Sequence, residues 1–499
     1  MSWKFSNLEV TKLINTKLKA MSKFTKIPSE IRNFFSEKRR STVMEAFTKL
    51  VETLSVDSKM LGGVKRDNCQ LTNLQVFQIL LMLPFFAVKG FSHYSTSVLN
   101  NMFGGKKDIF YSFMANDDID WRETIYRVTG KLIGNVIFRK DYKKSHLPTV
   151  LIADDSDLPK TGVRMESIGK IFSHVHQKCI LGYKALMLCW SDGRSQFMLD
   201  LSIHGEKGKV EGKEQGLTAD QRKKRYSRDR DEKCHISKRK EEYFMSKGIK
   251  LIEMVKQAIR KRIPFDYLLV DSWFTNTALV DFVCHSKKKF HLLGMAKMTK
   301  TKYQTKEWGD MNAKSIIEKL QRQKKIRYSR RYRCHYATVD ARLGNREVRL
   351  FFCRRGKREG WKILLTTNRK LDFMLAYEIY SMRWAIEVFF SDSKRLLDLS
   401  GCSARDFSSQ IAHVSLVMIR YNLLSSIKRS LDYETIGGLF NDVYDGFQEL
   451  TVVEKIWAII IEVVAVVAEL TGADEEELMT QIIENNKRLA VLKAYAMTA

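Results

Sequence analysis

The feature that most restricts the fold is a change of hydrophobic period at Pro148. Before this residue apolar side chains recur at helical spacing, and after it short apolar runs of strand type appear. These runs include 149–153, 183–190, 196–204, 265–270, 290–295 and 362–366. Helical patterns at about 240–261 and at 277–285 interrupt the series. Strands that alternate with helices in this way indicate an α/β fold, in which sites form at the carboxyl ends of strands.

Two of these runs end in an aspartate. Asp154 follows the apolar sequence TVLIA and opens the stretch DDSD, and Asp271 follows FDYLLV and opens DSWF. Strand ends would place both carboxylates at one edge of a sheet, where a site can form. Each acid also has a local explanation, because turn aspartates commonly bond their own backbone and an aspartate before a helix commonly caps it.

A third carboxylate lies in the stretch 380–394, YSMRWAIEVFFSDSK. Its polar side chains include Tyr380, Arg383, Glu387 and Lys394. On a helix these four fall within a sector of about 60°. We predict one long helix that opens at Phe373, carries this polar stripe, and packs its aromatic remainder, including Trp384, against the sheet. The alternative is an ordinary exposed i,i+4 ion pair between Arg383 and Glu387.

The charge balance indicates a polyanionic partner. Lys and Arg number 86 against 57 Asp and Glu, which gives a formal charge of +29. Nucleic acid is the commonest partner of so basic a protein, whereas a membrane surface would need an anchor that we do not find. Residues 222–240 alone hold ten Lys or Arg and three acids, which favours a mobile loop or a basic arm. The eight cysteines show no zinc-type spacing and indicate reduced thiols in a cytosolic protein.

Three converging carboxylates favour a metal site. Asp154, Asp271 and Glu387 would repel one another unless a cation neutralised them, and oxygen ligands suit Mg²⁺ or Mn²⁺. Two such ions activate a water or a 3′-hydroxyl and stabilise the leaving oxygen during attack on a phosphodiester. The basic surplus would then hold the nucleic acid that contains this bond.

With these motifs the sequence resembles the DDE transposases of bacterial insertion sequences. The resemblance is to the insertion-sequence-four type, which carries a YREK signature and includes hairpin-forming members. Tyr380, Arg383, Glu387 and Lys394 match that signature without a change of spacing. Asp154 in D-x-S fits the first acidic motif, and Asp271 in VDSWF fits the second. The resemblance covers roughly residues 149–400.

The resemblance implies an α/β fold with an RNase H-like catalytic core at 148–295 and 367–400. A β-rich insertion at 296–366 would interrupt this core. The helical N-terminal region 1–147 would bind DNA ends, although a small helical domain packed on the core would look the same in sequence. The helical C-terminal region 401–499 would be a candidate dimer interface.

The resemblance also implies roles for single residues. Asp154, Asp271 and Glu387 would be the catalytic residues and would hold two Mg²⁺ or Mn²⁺ ions. The residues implied to bind DNA are Tyr380, Arg383, Lys394 and Trp361. In this scheme Trp361 stacks on a flipped base, and its alternative is a core position at the start of a strand. Because the first motif is acid-rich, Asp155 or Asp157 remains an alternative ligand to Asp154.

The implied activity is cleavage at transposon ends and strand transfer into target DNA, by cut-and-paste through a hairpin. The implied partners are the terminal inverted repeats, the target DNA and a second copy of the chain in a paired-end complex. A bacterial protein of the cytoplasm, associated with the nucleoid, is expected. The alternative is an RNase H-like nuclease or resolvase that cuts DNA without joining it.

Overall fold

The computed structural model describes residues 38–474 and 478, except 55, 66–68, 87, 89, 97–99, 101–103, 139–145 and 357. Predictions for the first part of region 1–147 and the last part of region 401–499 therefore lie outside the described residues. The chain divides into two compact units. One comprises Met1–Thr48, Pro84–Val88 and Asn441–Ala499, and the other comprises Lys49–Leu83 and Lys89–Phe440.

Helices and strands give a mixed α/β architecture. The described helices are α1 (Lys38–Glu52), α2 (Asn73–Met82), α3 (Lys107–Met114), α4 (Trp121–Ile137), α5 (Ala219–Lys223), α6 (His235–Glu241), α7 (Lys247–Arg260), α8 (Thr277–His285), α9 (Ala313–Arg322), α10 (Phe373–Ser381), α11 (Trp384–Leu396), α12 (Phe407–Ser430) and α13 (Ile436–Thr471). The described strands are β1 (Val150–Pro159), β2 (Gly169–Ser173), β3 (Lys178–Ser191), β4 (Gln196–His204), β5 (Tyr267–Val270), β6 (His291–Ala296), β7 (Lys302–Thr305), β8 (Gly309–Asn312), β9 (Arg327–Ser329), β10 (Cys334–Leu343), β11 (Arg346–Arg354) and β12 (Lys362–Thr366).

The first unit is helical where it is described. Phe47 packs against Phe85 and Phe447, with ring centroids 4.7 Å and 6.5 Å away. The side-chain amide of Gln448 donates to the carbonyl oxygen of Phe85 at 3.0 Å. An aromatic cluster thus holds this unit together.

The second unit is built on one large sheet. Its strands follow the order β2-β3-β1-β5-β6-β12-β11-β10-β7-β8, with β4 paired to β3 and β9 paired to β10. Strand β1 is antiparallel to β3 and parallel to β5, and β5 is parallel to β6. The apolar runs at 149–153 and 265–270 are therefore neighbours in space. All four residues of β5 are buried, as expected for a parallel strand inside a sheet.

Residues 296–366 extend the same sheet. Strand β12 pairs antiparallel with β6, β11 with β12, and β10 with β11. Helix α9 lies in this segment and was not anticipated from the sequence. Its apolar side chains fall on one face, where Ile316, Ile317 and Leu320 are buried.

Helix α12 is buried along nearly its whole length and packs against β4 and α4. Asn422 fixes it to the sheet, since its side-chain oxygen accepts from the backbone N–H of Met198 at 2.7 Å. Its side-chain nitrogen donates to the Met198 carbonyl and to Thr129 Oγ1. The buried polar side chains Gln410 and Arg420 of this helix are also hydrogen-bonded, as burial requires.

The basic segment 222–240 is not a free arm. Arg230 is almost fully buried and pairs with Glu166 and Asp117. Arg239 is also buried and donates to the carbonyl oxygen of Leu201 at 2.8 Å. The prediction of a mobile loop or arm was therefore wrong at Arg230 and Arg239, whose guanidinium groups are held by carboxylates and a backbone carbonyl far away in the sequence. No helix in the part of the chain that the structure describes combines the length and the apolar character that a membrane span requires.

Candidate active site

Asp154 and Asp271 leave neighbouring parallel strands at the same level. Ala153 is in register with Val270, and each aspartate directly follows one of these two paired residues. Strand β1 does not end there, however, because it stays paired with β3 as far as Pro159 opposite Gly182. The prediction of a turn at DDSD was wrong, since pairing with β3 continues where pairing with β5 stops.

The four residues of DDSD alternate between two faces of β1, as strand geometry requires. Each has its own basic partner, and in chain order the pairs are Asp154 with Arg383, Asp155 with Lys247, Ser156 with Lys394, and Asp157 with Lys184. Asp154 and Ser156 both contact α11 or the residue before it. Asp155 and Asp157 contact lysines from α7 and β3 instead. The structure therefore brings Asp154, and not its two acidic neighbours, into contact with Arg383, while Asp157 lies near Lys394.

The polar stripe lies on two helices and not on one. Helix α10 ends at Ser381 and α11 begins at Trp384. The intervening backbone makes i,i−3 hydrogen bonds, from Met382 to Ile379 and from Arg383 to Tyr380. This tight turn corrects the prediction of one continuous helix from Phe373. The two residues between the helices, Met382 and Arg383, keep helical dihedral angles, so the stripe stays on one side of the chain.

Arg383 joins two of the three predicted acids. One terminal nitrogen, Nη1, donates to Asp154 Oδ2 at 2.8 Å, and the other, Nη2, donates to Glu387 Oε1. The guanidinium is largely buried, and it lies 5.9 Å from the ring centre of Tyr380. The i,i+4 ion pair expected by the simpler interpretation is present, but it is part of a partly buried cluster of Asp154, Arg383 and Glu387.

Asp271 uses one carboxylate oxygen within its own loop. Its Oδ1 accepts from the backbone N–H groups of Trp273 at 2.9 Å and Phe274 at 3.3 Å. The cap of α8 is Asn276, so the interpretation of Asp271 as that helix cap was wrong. The Tyr380 hydroxyl lies 3.4 Å from the carbonyl oxygen of Val270, the residue before Asp271.

The two tryptophans singled out from the sequence have different surroundings. Ile386 and Phe389 of α11 are fully buried, as predicted, but Trp384 is 64% exposed and does not pack against the sheet. Trp361 is partly buried just before β12, and the guanidinium of Arg354 lies 4.6 Å from its ring centre. This cation–π contact joins two residues of 296–366 and involves none of the three acids.

Two family models match the part of the chain that holds these residues. Residues 246–423 match a model described as transposase DDE domain, and residues 96–288 match one described as DDE superfamily endonuclease. These matches support a DDE transposase. The first contains Asp271 and Glu387, and the second contains Asp154 and Asp271.

Two other comparisons add little to the DDE transposase assignment. A cryo-EM structure of the piggyBac transposase synaptic complex with hairpin DNA aligns over 85% of this chain and 80% of that chain. The TM-score is 0.42 and the sequence identity is 13%, too low for an argument from that structure. No curated protein matches the chain.

The electrostatics of this candidate site favour a cation. Burial raises the pKa of Asp154 to about 6; Arg383 opposes the rise, and the nearby Asp271 adds to it. Burial also raises the pKa of Tyr380 to about 12, so its hydroxyl stays protonated at neutral pH. The pKa of Lys394 is lowered by burial. A further cation would therefore stabilise the ionised form of the Asp154 carboxylate, which burial disfavours.

The side chains of Asp154, Asp271 and Glu387 are chemically suited to a divalent ion, but their present contacts are not those of a metal site. Transposases of the DDE superfamily generally use divalent metal ions. The donors here are carboxylate oxygens, which Mg²⁺ and Mn²⁺ prefer. Among the described residues, no group of three or more His, Cys, Asp or Glu is arranged to hold a metal ion. Arg383 explains this, because its guanidinium takes the oxygens of Asp154 and Glu387 that an ion would need.

Asp154→Asn is expected to change how the free energy of unfolding depends on pH in the absence of metal. Because the fold raises the pKa of Asp154 from 3.8 to about 6, the folded state binds a proton in this window that the unfolded state has released. Wild-type stability should therefore fall by up to about 3 kcal/mol as pH rises through the window, and the variant should lack this fall.

Urea unfolding in EDTA at about pH 4.5 and about pH 7.5 measures this effect. The variant should gain stability relative to wild type at the higher pH. A difference between the two proteins that stays the same at both pH values would contradict the assignment.

Three residues near the candidate acids or their neighbours on β1 were not predicted from the sequence. Lys247 at the start of α7 donates to Asp155 Oδ2 at 2.8 Å, and Lys184 from β3 pairs with Asp157. Trp273 lies two residues after Asp271 and is 46% exposed. No sequence signal identifies the two lysines, since only strand pairing and helix packing bring them to β1. The aromatic residue in DSWF was visible in the sequence.

Proposed function

We propose that this protein is a DNA transposase that cleaves phosphodiester bonds at the ends of a mobile element and joins them to target DNA. The observation that carries the proposal is the meeting of Asp154, Asp271 and the Arg383–Glu387 pair at one place on the sheet. These residues come from β1, the end of β5 and the start of α11. Such convergence of distant carboxylates is typical of an active site.

The order of strands supports an RNase H-like catalytic core at 148–295 and 367–400. Strands β4, β3 and β1 are successively antiparallel, and β5 and β6 then follow parallel to β1. In this proposal 296–366 is the β-rich insertion, 1–147 is the helical DNA-end-binding region, and 401–499 contributes to dimerisation.

In the proposed mechanism Asp154, Asp271 and Glu387 hold two Mg²⁺ or Mn²⁺ ions. When bound, these ions supply charge that activates the attacking oxygen and stabilises the leaving oxygen. The chain's own cations and hydroxyl hold the DNA. Arg383 offers a two-nitrogen fork that suits a phosphate, and the protonated Tyr380 hydroxyl donates a hydrogen bond.

Lys394 completes the proposed phosphate contacts from farther along α11. Its ammonium donates to Ser156 Oγ at 2.8 Å, and Asp157 favours its charged form. A point charge beside the strand that carries Asp154 would position a backbone phosphate near the attacked bond.

The later steps of the proposal are a hairpin intermediate and cut-and-paste transfer by a homodimer on paired ends. A hairpin requires an unstacked base, and Trp361 is the residue proposed to receive it. The partial exposure of Trp361 and the Arg354 guanidinium on its ring are compatible with stacking on the outer face.

The experiment uses purified protein and linear DNA that carries the sequences flanking its gene. In Mg²⁺ we expect nicks at defined ends, hairpins on a denaturing gel and joined products with added target DNA, and no products in EDTA. Asp154→Asn should lower cleavage by about 10³-fold or more, whereas Asp155→Asn should stay within about tenfold of wild type. Linear products alone would favour a nuclease that does not join DNA.

A further inference from the structure

We propose that Trp273 is a stacking platform for an unpaired DNA base beside the bond that Asp271 helps to cut. The inference rests on the proposed function and adds to it a binding site for a nucleobase. The ligand class is single-stranded or frayed DNA, and base identity should matter little because every base presents an aromatic face.

The loop of Asp271 fixes the position of the indole. Asp271 Oδ1 accepts from the backbone N–H of Trp273 at 2.9 Å, so the backbone that carries the ring is tied to the proposed catalytic carboxylate. The next residue, Phe274, is only 1% exposed and anchors the loop in the core. The Phe274 ring meets the indole edge-on, with centroids 4.8 Å apart. An aromatic side chain held in this way loses little freedom when a ligand stacks on it.

Trp273 is exposed although a hydrophobic neighbour is buried. Its exposed fraction is 46%, in a loop that places Phe274 in the core. Leaving that much indole surface in water forgoes the burial that usually stabilises a tryptophan. A flat apolar surface next to an acid expected to act on DNA suits a base, the one flat apolar part of a nucleic acid.

Lys247 supplies the positive charge that a protein site for a DNA base requires. Its Nζ lies 4.4 Å from the centre of the Trp273 ring and 2.8 Å from Asp155 Oδ2. The lysine thus links the residue after Asp154 to the residue two after Asp271. A phosphate next to a stacked base would meet this ammonium, and grooves for single strands combine such cations with aromatic rings.

A purely structural explanation is that Trp273 only covers the Lys247 ammonium. In that case removing the indole would lower thermal stability, but binding would not depend on whether the DNA carries bases. The two explanations therefore differ in the response to abasic DNA.

The test measures affinity by fluorescence anisotropy for a short oligothymidylate and for the same oligonucleotide with abasic residues. The wild type should bind the base-containing strand about 5- to 150-fold more tightly than the abasic strand, which corresponds to about 1–3 kcal/mol. Trp273→Ala should lose this preference, and Trp273→Phe should keep most of it. Phe244→Ala removes a similarly exposed aromatic residue, which lies between α6 and α7, and should behave as wild type.

A second readout does not depend on a variant. Irradiation of the wild type with a 5-iodouracil oligonucleotide should crosslink Trp273, identified by peptide mass spectrometry. If wild-type protein binds DNA but shows no base preference and no crosslink at Trp273, the stacking inference is overturned while the proposed function stands. If the wild type binds neither oligonucleotide nor the flanking DNA, the proposed function itself fails.

Discussion

Glu387→Gln should reduce DNA strand cleavage in Mg²⁺ by about 10³-fold or more and change DNA affinity by less than about twofold. The substitution keeps the size of the side chain and removes the negative charge proposed to hold a metal ion. Arg383 retains its bond to Asp154, so the local fold should persist. Denaturing gels measure cleavage, and electrophoretic mobility shift in EDTA measures binding.

Asp392→Asn is the matched control for this variant. Asp392 lies on the same helix α11, where its partly buried carboxylate pairs with the exposed guanidinium of Arg395 at 3.1 Å. Losing such a pair costs about 1 kcal/mol or less, so cleavage should remain within about twofold of wild type. Wild-type cleavage by Glu387→Gln would remove Glu387 from the proposed site.

Arg383→Gln should tighten Mn²⁺ binding by DNA-free protein about tenfold or more, and it should also weaken cleavage. In the wild type the guanidinium holds Asp154 Oδ2 and Glu387 Oε1. Charge-assisted hydrogen bonds contribute about 1.5–3 kcal/mol, which a metal ion must overcome before it binds. Removal of the nearby positive charge acts in the same direction. Isothermal titration with Mn²⁺ and cleavage on a denaturing gel measure the two effects.

Arg395→Gln removes a guanidinium from the exposed end of the same helix and serves as the control. It should leave the Mn²⁺ affinity unchanged. In the wild type, DNA should raise Mn²⁺ affinity, because a backbone phosphate offers Arg383 another partner and binding linkage is reciprocal. Weaker Mn²⁺ binding by Arg383→Gln would show that the guanidinium supports the ion and does not compete with it.

Local patterns were enough to predict the elements that carry the acids. The apolar run before Asp154 became the start of β1, and helix α8 and strand β12 have the predicted bounds. Turn residues and apolar periodicity act over a few positions, so they can be read from one stretch of chain. The family matches support a DDE transposase.

The remaining features depend on contacts between distant segments. The length of β1 is set by β3, whose pairing carries the strand past Asp154 to Pro159. The partners of Asp155 and Asp157 come from α7 and β3, and no pattern around the acids specifies them. Trp384 lies on the side of α11 away from the buried Ile386 and Phe389, and only the packing of this helix leaves that side in solvent.

The pairing of β12 with β6 has a mechanical consequence. Gly294 of β6 is in register with Val270 on one side and Leu365 on the other, so backbone ladders connect β5 to the strands of 296–366. A load applied to β10 or β11 is transmitted through these ladders to the strand that ends just before Asp271. Residues 296–366 therefore cannot swing on a hinge of their own without shearing the sheet that positions this carboxylate.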